Sequence, residues 1–191
     1  MEWASVFSMA HPRPGATGAV LEEFVAEVAR PMSAAEVRER TDAQRNPFPK
    51  GDRLYSAWQP FDPAAWVIPH RPLPAAYLSL LRWSDGGEYG NGERWFQFFP
   101  CLGARHGVRA MMLAYELPQY MPGAVPIAFN GGGTFYLLDL RLPAVAGEYP
   151  IVCAHAGYLG WESRAQCVVA DTLEAACRGT VNVDDLRCPE G

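Results

Sequence analysis

The sequence predicts an α+β fold: a mostly antiparallel, curved mixed sheet with helices packed on one side. Three observations lead there. First, two apolar runs, Val125 to Phe129 and Phe135 to Leu140, flank Asn130-Gly131-Gly132-Gly133. Consecutive glycines reach positive φ at little cost, so they permit a tight reversal, and the unit reads as a central hairpin. Second, Phe135, Tyr136, Leu137 and Leu138 are apolar without a break, as in a strand covered on both faces. Third, strands and helices come in clusters rather than in strict alternation.

The elements follow in order. The opening residues, closed by Pro12 and Pro14, read as irregular. Thr17 caps a helix whose Leu21, Phe24, Val25 and Val28 share one face, and Pro31 stops it. Ser33 and Glu36 have the spacing of a capping box. The helix they start, to about Gln44, is weakly apolar and belongs on the surface. Asn46 to Asp52 reads as a loop and a soft boundary. Asp62-Pro63 opens a short helix through Trp66. Leu73, Tyr77, Leu80 and Leu81 form a helical stripe, with Pro74 where a helix start tolerates it. Gly86 or Gly87 ends that helix.

Trp95 to Phe99 is aromatic and strand-like. Val108, Met111, Met112 and Tyr115 mark another amphipathic helix. Strands are expected over Tyr149 to Ala154 and Gln166 to Ala170. Asp171-Thr172 caps a last helix that turns Leu173, Ala176 and Cys177 inward and ends at Gly179. The tail from Thr180 is polar.

The 191 residues fit one domain, and 49% hydrophobic against 19% charged residues supply material for a real core. A net charge of -5 with a pI near 5.4 argues against a nucleic-acid binder and suits a basic partner. The cysteines (Cys101, Cys153, Cys167, Cys177, Cys188) are odd in number and form no CxxC pair, which reads as reduced thiols in a cytoplasmic protein. The N-terminus lacks the basic and apolar regions of a secretion signal, and no apolar run reaches membrane-span length.

Chemistry is sparse. The glycine stretches Gly86–Gly92 and Asn130–Gly133 lack the phosphate-cradle register and read as turns. Cys153 and His155 would share one face of a strand, where a thiol and a base could meet. A small buried hydrophobe beside a solvated imidazole is the expectation there. The spacings of structural zinc are missing. Asp85, Glu88 and Glu93 could form an acidic lip. Asp139, inside an apolar strand, is expected to anchor a neighbouring loop by hydrogen bonds. No catalytic, metal or cofactor residue is assigned.

Two segments together carry a resemblance: Leu73-Pro74 through Tyr77 to Gly86-Gly87, and Pro126 through Asn130-Gly131-Gly132-Gly133 to Tyr136 and Asp139. In order and spacing, with the closing Val168-Val169-Ala170-Asp171-Thr172-Leu173, they resemble the Smi/Knr branch of the SUKH superfamily. The similarity covers about residues 60–179, leaving 1–59 as an N-terminal helical extension of a single domain. The sequence departs from the pattern at Asn130 and Thr134, where acids often stand, and at Asp85, where asparagine is usual. The resemblance implies a helix-covered curved sheet and a binding role rather than catalysis. Bacterial members look like immunity proteins that neutralise polymorphic toxins, often nucleases; fungal relatives regulate cell-wall synthesis through protein contacts. The expectation is therefore a protein that binds a basic toxin domain directly and needs no cofactor. A scaffold domain without a toxin is the alternative. A Cys153–His155 enzyme, or a ligand module near Trp83 and Tyr89, is a further one. The expected contact surface is the loop from Asp85 to Glu93: Asp85, Glu88, Tyr89, Asn91 and Glu93, joining acids to an exposed aromatic.

Overall fold

A computed structural model describes residues 2–162 and 166–186. Cys188 therefore lies outside the described residues. The core of the fold is an open sheet of seven strands: β1 (Met9–Pro12), β2 (Gly87–Asn91), β3 (Arg94–Phe98), β4 (Ala124–Phe129), β5 (Thr134–Asp139), β6 (Ile151–His155) and β7 (Gln166–Ala170). Their order in space is their order in sequence, and every described pairing is antiparallel, so the sheet is not mixed. Register shifts at Pro126/Ala128 and Ile151/Val152 add local twist. The helices are α1 (Gly18–Ala29), α2 (Ala34–Ala43), α3 (Ala75–Trp83), α4 (Val108–Ala114), α5 (Leu117–Tyr120) and α6 (Leu173–Arg178). The α+β class holds.

The predicted hairpin stands at the middle of the sheet. Phe129 pairs with Phe135 across the turn, and Gly131 and Gly133 hold φ of 84° and 95°. Asn130 Oδ1 accepts from the amides of Gly132 and Thr134 at 2.8 and 3.0 Å, closing the turn from within. Asn130 Nδ2 and Thr134 Oγ1 both donate to the Asp184 carboxylate, at 2.8 and 2.7 Å. Acids at 130 and 134 would repel that carboxylate, which explains the departure from the acidic pattern here. β4 and β5 are buried along their length apart from the half-buried Phe129 and Asp139.

The helix ends follow the side-chain chemistry read from sequence. Thr17 caps α1, Ser33 and Glu36 close a full capping box on α2, and Thr172 caps α6. Leu21, Phe24 and Val28 of α1 are buried, while Val25 is exposed. Phe24 meets Tyr77 of α3 edge to face at 6.2 Å.

Two expectations about where the strands lie also fail. The opening residues are not irregular: β1 extends the sheet beyond β2. Pro12 is tolerated because β1 is an edge strand. Gly87 makes the pairing possible, since its φ is 114° and a Cβ there would come within 2.7 Å of the His11 carbonyl. Residues 14–16 then cross α3: Ala16 N donates to Leu81 O at 2.8 Å, and a Cβ on Gly15 would sit 1.8 Å from Arg82 O. Trp3, Phe7 and Phe24 join the same core as β2 to β6. The second failure is the Gly86–Gly92 stretch, which is strand β2, paired on both sides, rather than a loop. Among the described residues, no helix is long and apolar enough to cross a membrane.

Candidate functional site

The five residues expected to form the contact loop are separated by the strand. Tyr89 is completely buried, with Phe7 at 4.7 Å and Trp83 at 5.3 Å, and its hydroxyl donates to Gly86 O. Alternation along β2 turns it into the core. Asn91 is a buried peg: its Nδ2 donates to Val6 O at 2.7 Å and Cys177 O at 2.6 Å, and its Oδ1 accepts from Ser8 N. Asp85 accepts from the Cys101 amide at 2.6 Å and so ties the start of β2 to the turn after β3. Only Glu88 and Glu93 face outward. The exposed aromatic of the expected lip does not exist.

Cys153 is buried on β6 opposite Cys167, and His155 sits at the exposed end of the strand, its Nδ1 accepting from Gly157 N. Among the described residues, no three His, Cys, Asp or Glu side chains converge as metal ligands. Burial pushes the thiols of Cys101 and Cys177 well above the ordinary range, as for inert core cysteines.

Two adjoining clefts, each of about 540 Å³, share Ala114 at the end of α4. The first lies between α1, α2 and α4. Its floor is a closed ionic network. Arg109 of α4 is buried and uses all its donors: Nε and Nη2 reach the Glu36 carboxylate, Nη1 the carbonyls of Glu27 and Arg30, and Nη2 also that of Pro31. Arg30 grips Glu27 and Glu36 at 3.0 Å each. Burial pushes the Glu36 carboxyl up, but the hydrogen bonds from Arg109 and Arg30 outweigh it and hold it well below the carboxylate range. The hydrogen bond from Arg30 likewise lowers Glu27. Every charge in this floor is spent on fastening α1 and α2 to α4, which makes it scaffold.

The second cleft is an open groove between the α4–α5 corner and the turn after β6. Tyr115, Glu116, Tyr120 and Tyr158 line it. Tyr120 is 45% exposed and Tyr158 69%. The Tyr120 ring and the turn that carries Tyr158 both rest on fixed supports. Behind Tyr120 stands Phe61, which packs on Trp66; Trp66 Nε1 donates to Gln119 Oε1 at 3.0 Å, and Phe61 is held by two backbone bonds to the Gln44 amide. The Tyr158 turn is fastened through Trp161, whose Nε1 donates to Pro122 O. Above the Trp161 ring, at 3.5 Å, sits the Arg141 guanidinium, itself paired with Asp139 at 2.8 Å. Asp139 thus anchors the neighbouring loop, as its place in an apolar strand suggested. Tyrosines on rigid supports are the side chains that dominate protein interfaces.

Glu116 is the unusual member. Its φ is 55°, in the left-handed region, where the chain turns from α4 into α5. Ala146 shares such a φ, so the conformation alone marks nothing. What distinguishes Glu116 is a half-buried carboxyl facing tyrosines. Burial pushes that carboxyl above the ordinary range; Arg40 and the bonded Tyr120 hydroxyl pull it back. Glu116→Gly is expected to raise stability by about 0.5–1 kcal/mol, because glycine relieves the backbone penalty, measured by urea unfolding. A loss of stability would mean that the carboxylate is a scaffold group.

None of the groove residues was identifiable as a site residue from sequence. One signal was present: Pro118, at the start of α5, breaks the helix that began at Val108 and marks a corner at Glu116.

Comparison with protein families matches residues 70–176, more than half of the 191, to the SMI1 / KNR4 family (SUKH-1). Among curated proteins, none matches the chain. The matched span runs from just before α3 into α6 and includes the central hairpin and the groove residues Tyr115, Glu116, Tyr120 and Tyr158. With its glycine-turned antiparallel sheet and the Leu73-Pro74 helix that packs against it, the chain belongs to the SMI1/KNR4 (SUKH-1) family.

Proposed function

We propose that this chain acts by binding a protein and turns over no substrate, and that its partner is a toxin domain it neutralises as an immunity protein. The observation that carries this reading is the groove of exposed tyrosines around Glu116. Family membership over residues 70–176 supports it. So does the net charge of -5, which steers the chain towards a basic surface. Among the described residues, the strongly shifted groups Glu36, Tyr77, Cys101, Tyr136 and Cys177 sit in the scaffold or the core, away from the groove.

The test is co-expression with the polypeptide encoded by the neighbouring reading frame. Growth arrest by that polypeptide should be reversed by this chain, and the two should purify together. A stable complex without any effect on growth would make the chain an interaction domain of the scaffold type. Failure of both rescue and complex formation would remove the binding reading.

A further inference from the structure

We infer that the groove between α5 and the β6–β7 turn takes one arginine side chain of the partner, its guanidinium paired with Glu116 and stacked on Tyr158 or Tyr120. The inference rests on the protein-binding reading and adds the chemistry of the contact.

Three features point to arginine. The groove offers flat, exposed aromatic faces beside a carboxylate, and a guanidinium is the common side chain that uses both at once. Its plane stacks on a ring while its fork pairs with two oxygens. A lysine ammonium would use the carboxylate but not the stacking geometry. Second, Glu116 has acceptor capacity to spare. The Tyr120 hydroxyl and the charge of Arg40 act on it, and Arg40 already pairs with Glu39. An ionised carboxylate has about four lone-pair sites. Third, the charge is complementary. Among the residues lining the groove, Glu116 is the one acid, and no arginine or lysine stands with it. An incoming cation meets a net negative field on a chain of net charge -5.

The site also needs no rearrangement. Tyr120 is backed by Phe61, and the turn that carries Tyr158 is fastened through Trp161, Arg141 and Asp139, so binding immobilises little of the backbone. The left-handed backbone at Glu116 turns its Cα out of the helical line exactly at the groove corner, between Tyr115 and the α5 tyrosine.

The test uses the full chain, ¹⁵N-labelled, and a small probe, N-acetyl-arginine methylamide, followed by amide chemical shifts. The neutral isostere N-acetyl-citrulline methylamide and N-acetyl-lysine methylamide serve as comparisons. The expected result is saturable shifts at residues 114–120 and 156–159 with the arginine probe, weaker ones with lysine, and none with citrulline. Glu116→Gln should lower the apparent affinity about tenfold, and Tyr158→Ala about threefold, with the rest of the spectrum unchanged. Equal shifts from arginine and citrulline, equal affinity for lysine, or an unaffected Glu116→Gln protein would overturn the inference. So would groove shifts that depend on protein concentration without probe, since the occupant would then be a second copy of the chain. The probe needs no partner. If it fails to bind while a toxin complex forms, this inference falls and the function stands; if it binds while no complex forms, the function falls.

Discussion

Replacing Arg109 with methionine is expected to cost about 3 kcal/mol of folding stability. Methionine keeps much of the packing and removes the charge. Glu36 then loses its shortest ion pair, at 2.8 Å, and the carbonyls of Glu27, Arg30 and Pro31 lose their shared donor. Those carbonyls close the end of α1, where a cation is favourable. The same network sets a pH dependence. Glu36 and Glu27 are held below their ordinary range in the folded chain. Their contribution is therefore complete above the unfolded carboxylate range, near pH 4, and is lost as pH falls through it towards the folded values. Urea unfolding at neutral and acid pH checks both points. The wild-type protein should lose stability below about pH 4, and the Arg109→Met protein should lose less there. An Arg109→Met protein as stable as wild type would show that α1 and α2 are fastened by apolar contacts alone.

Replacing Asn91 with alanine should cost about 2–4 kcal/mol, because two buried carbonyls are left without a donor. The side chain joins three distant pieces: β2, the segment after the first turn through Val6 and Ser8, and the end of α6 through Cys177. The Ser8 amide keeps a second acceptor in Gly90 O, so the loss comes from Val6 and Cys177. Chemical denaturation measures it. The outcome also separates two roles for this residue. A scaffold peg lowers stability and leaves the groove's affinity for the arginine probe intact. An exposed contact residue, as the sequence suggested, would leave stability untouched.

The parts of the fold that are legible in the sequence are those set by local chemistry. The Thr17 and Thr172 caps, the Ser33–Glu36 box and the Asn130–Gly133 turn each depend on residues within a few positions. The Leu73–Leu81 stripe needs only the helical period. The strand β1 is different. Met-Ala-His-Pro has no alternation, and its partner β2 lies about two fifths of the chain away. Nothing local reports such a pairing. β2 itself is glycine-rich because β1 approaches it closely at Gly87 and the ring of Trp95 covers Gly90, so the residues that suit the strand look like a loop. Asn91-Gly92 before the aromatic run was the available sign of a hairpin, since Gly92 with φ 55° begins a two-residue turn into Arg94.

The site was less legible than the fold for a related reason. Tyr89 has the type of an interface residue, and its burial is decided by the face on which β2 is laid down. Tyr120 and Tyr158 are brought to one groove by the corner at Glu116 and by the turn after β6, which are far apart in sequence. Residue type could nominate tyrosines and glutamates; only the pairing of distant strands decides which of them share a surface.

The most direct measurement is a calorimetric titration of the purified chain with the polypeptide encoded by the neighbouring reading frame, repeated with Glu116→Gln and with Asn91→Ala at a temperature where all three are folded. The account predicts saturable binding to wild type, unchanged binding to folded Asn91→Ala, and binding weakened about tenfold by Glu116→Gln. No heat of binding to the folded wild-type chain would contradict it.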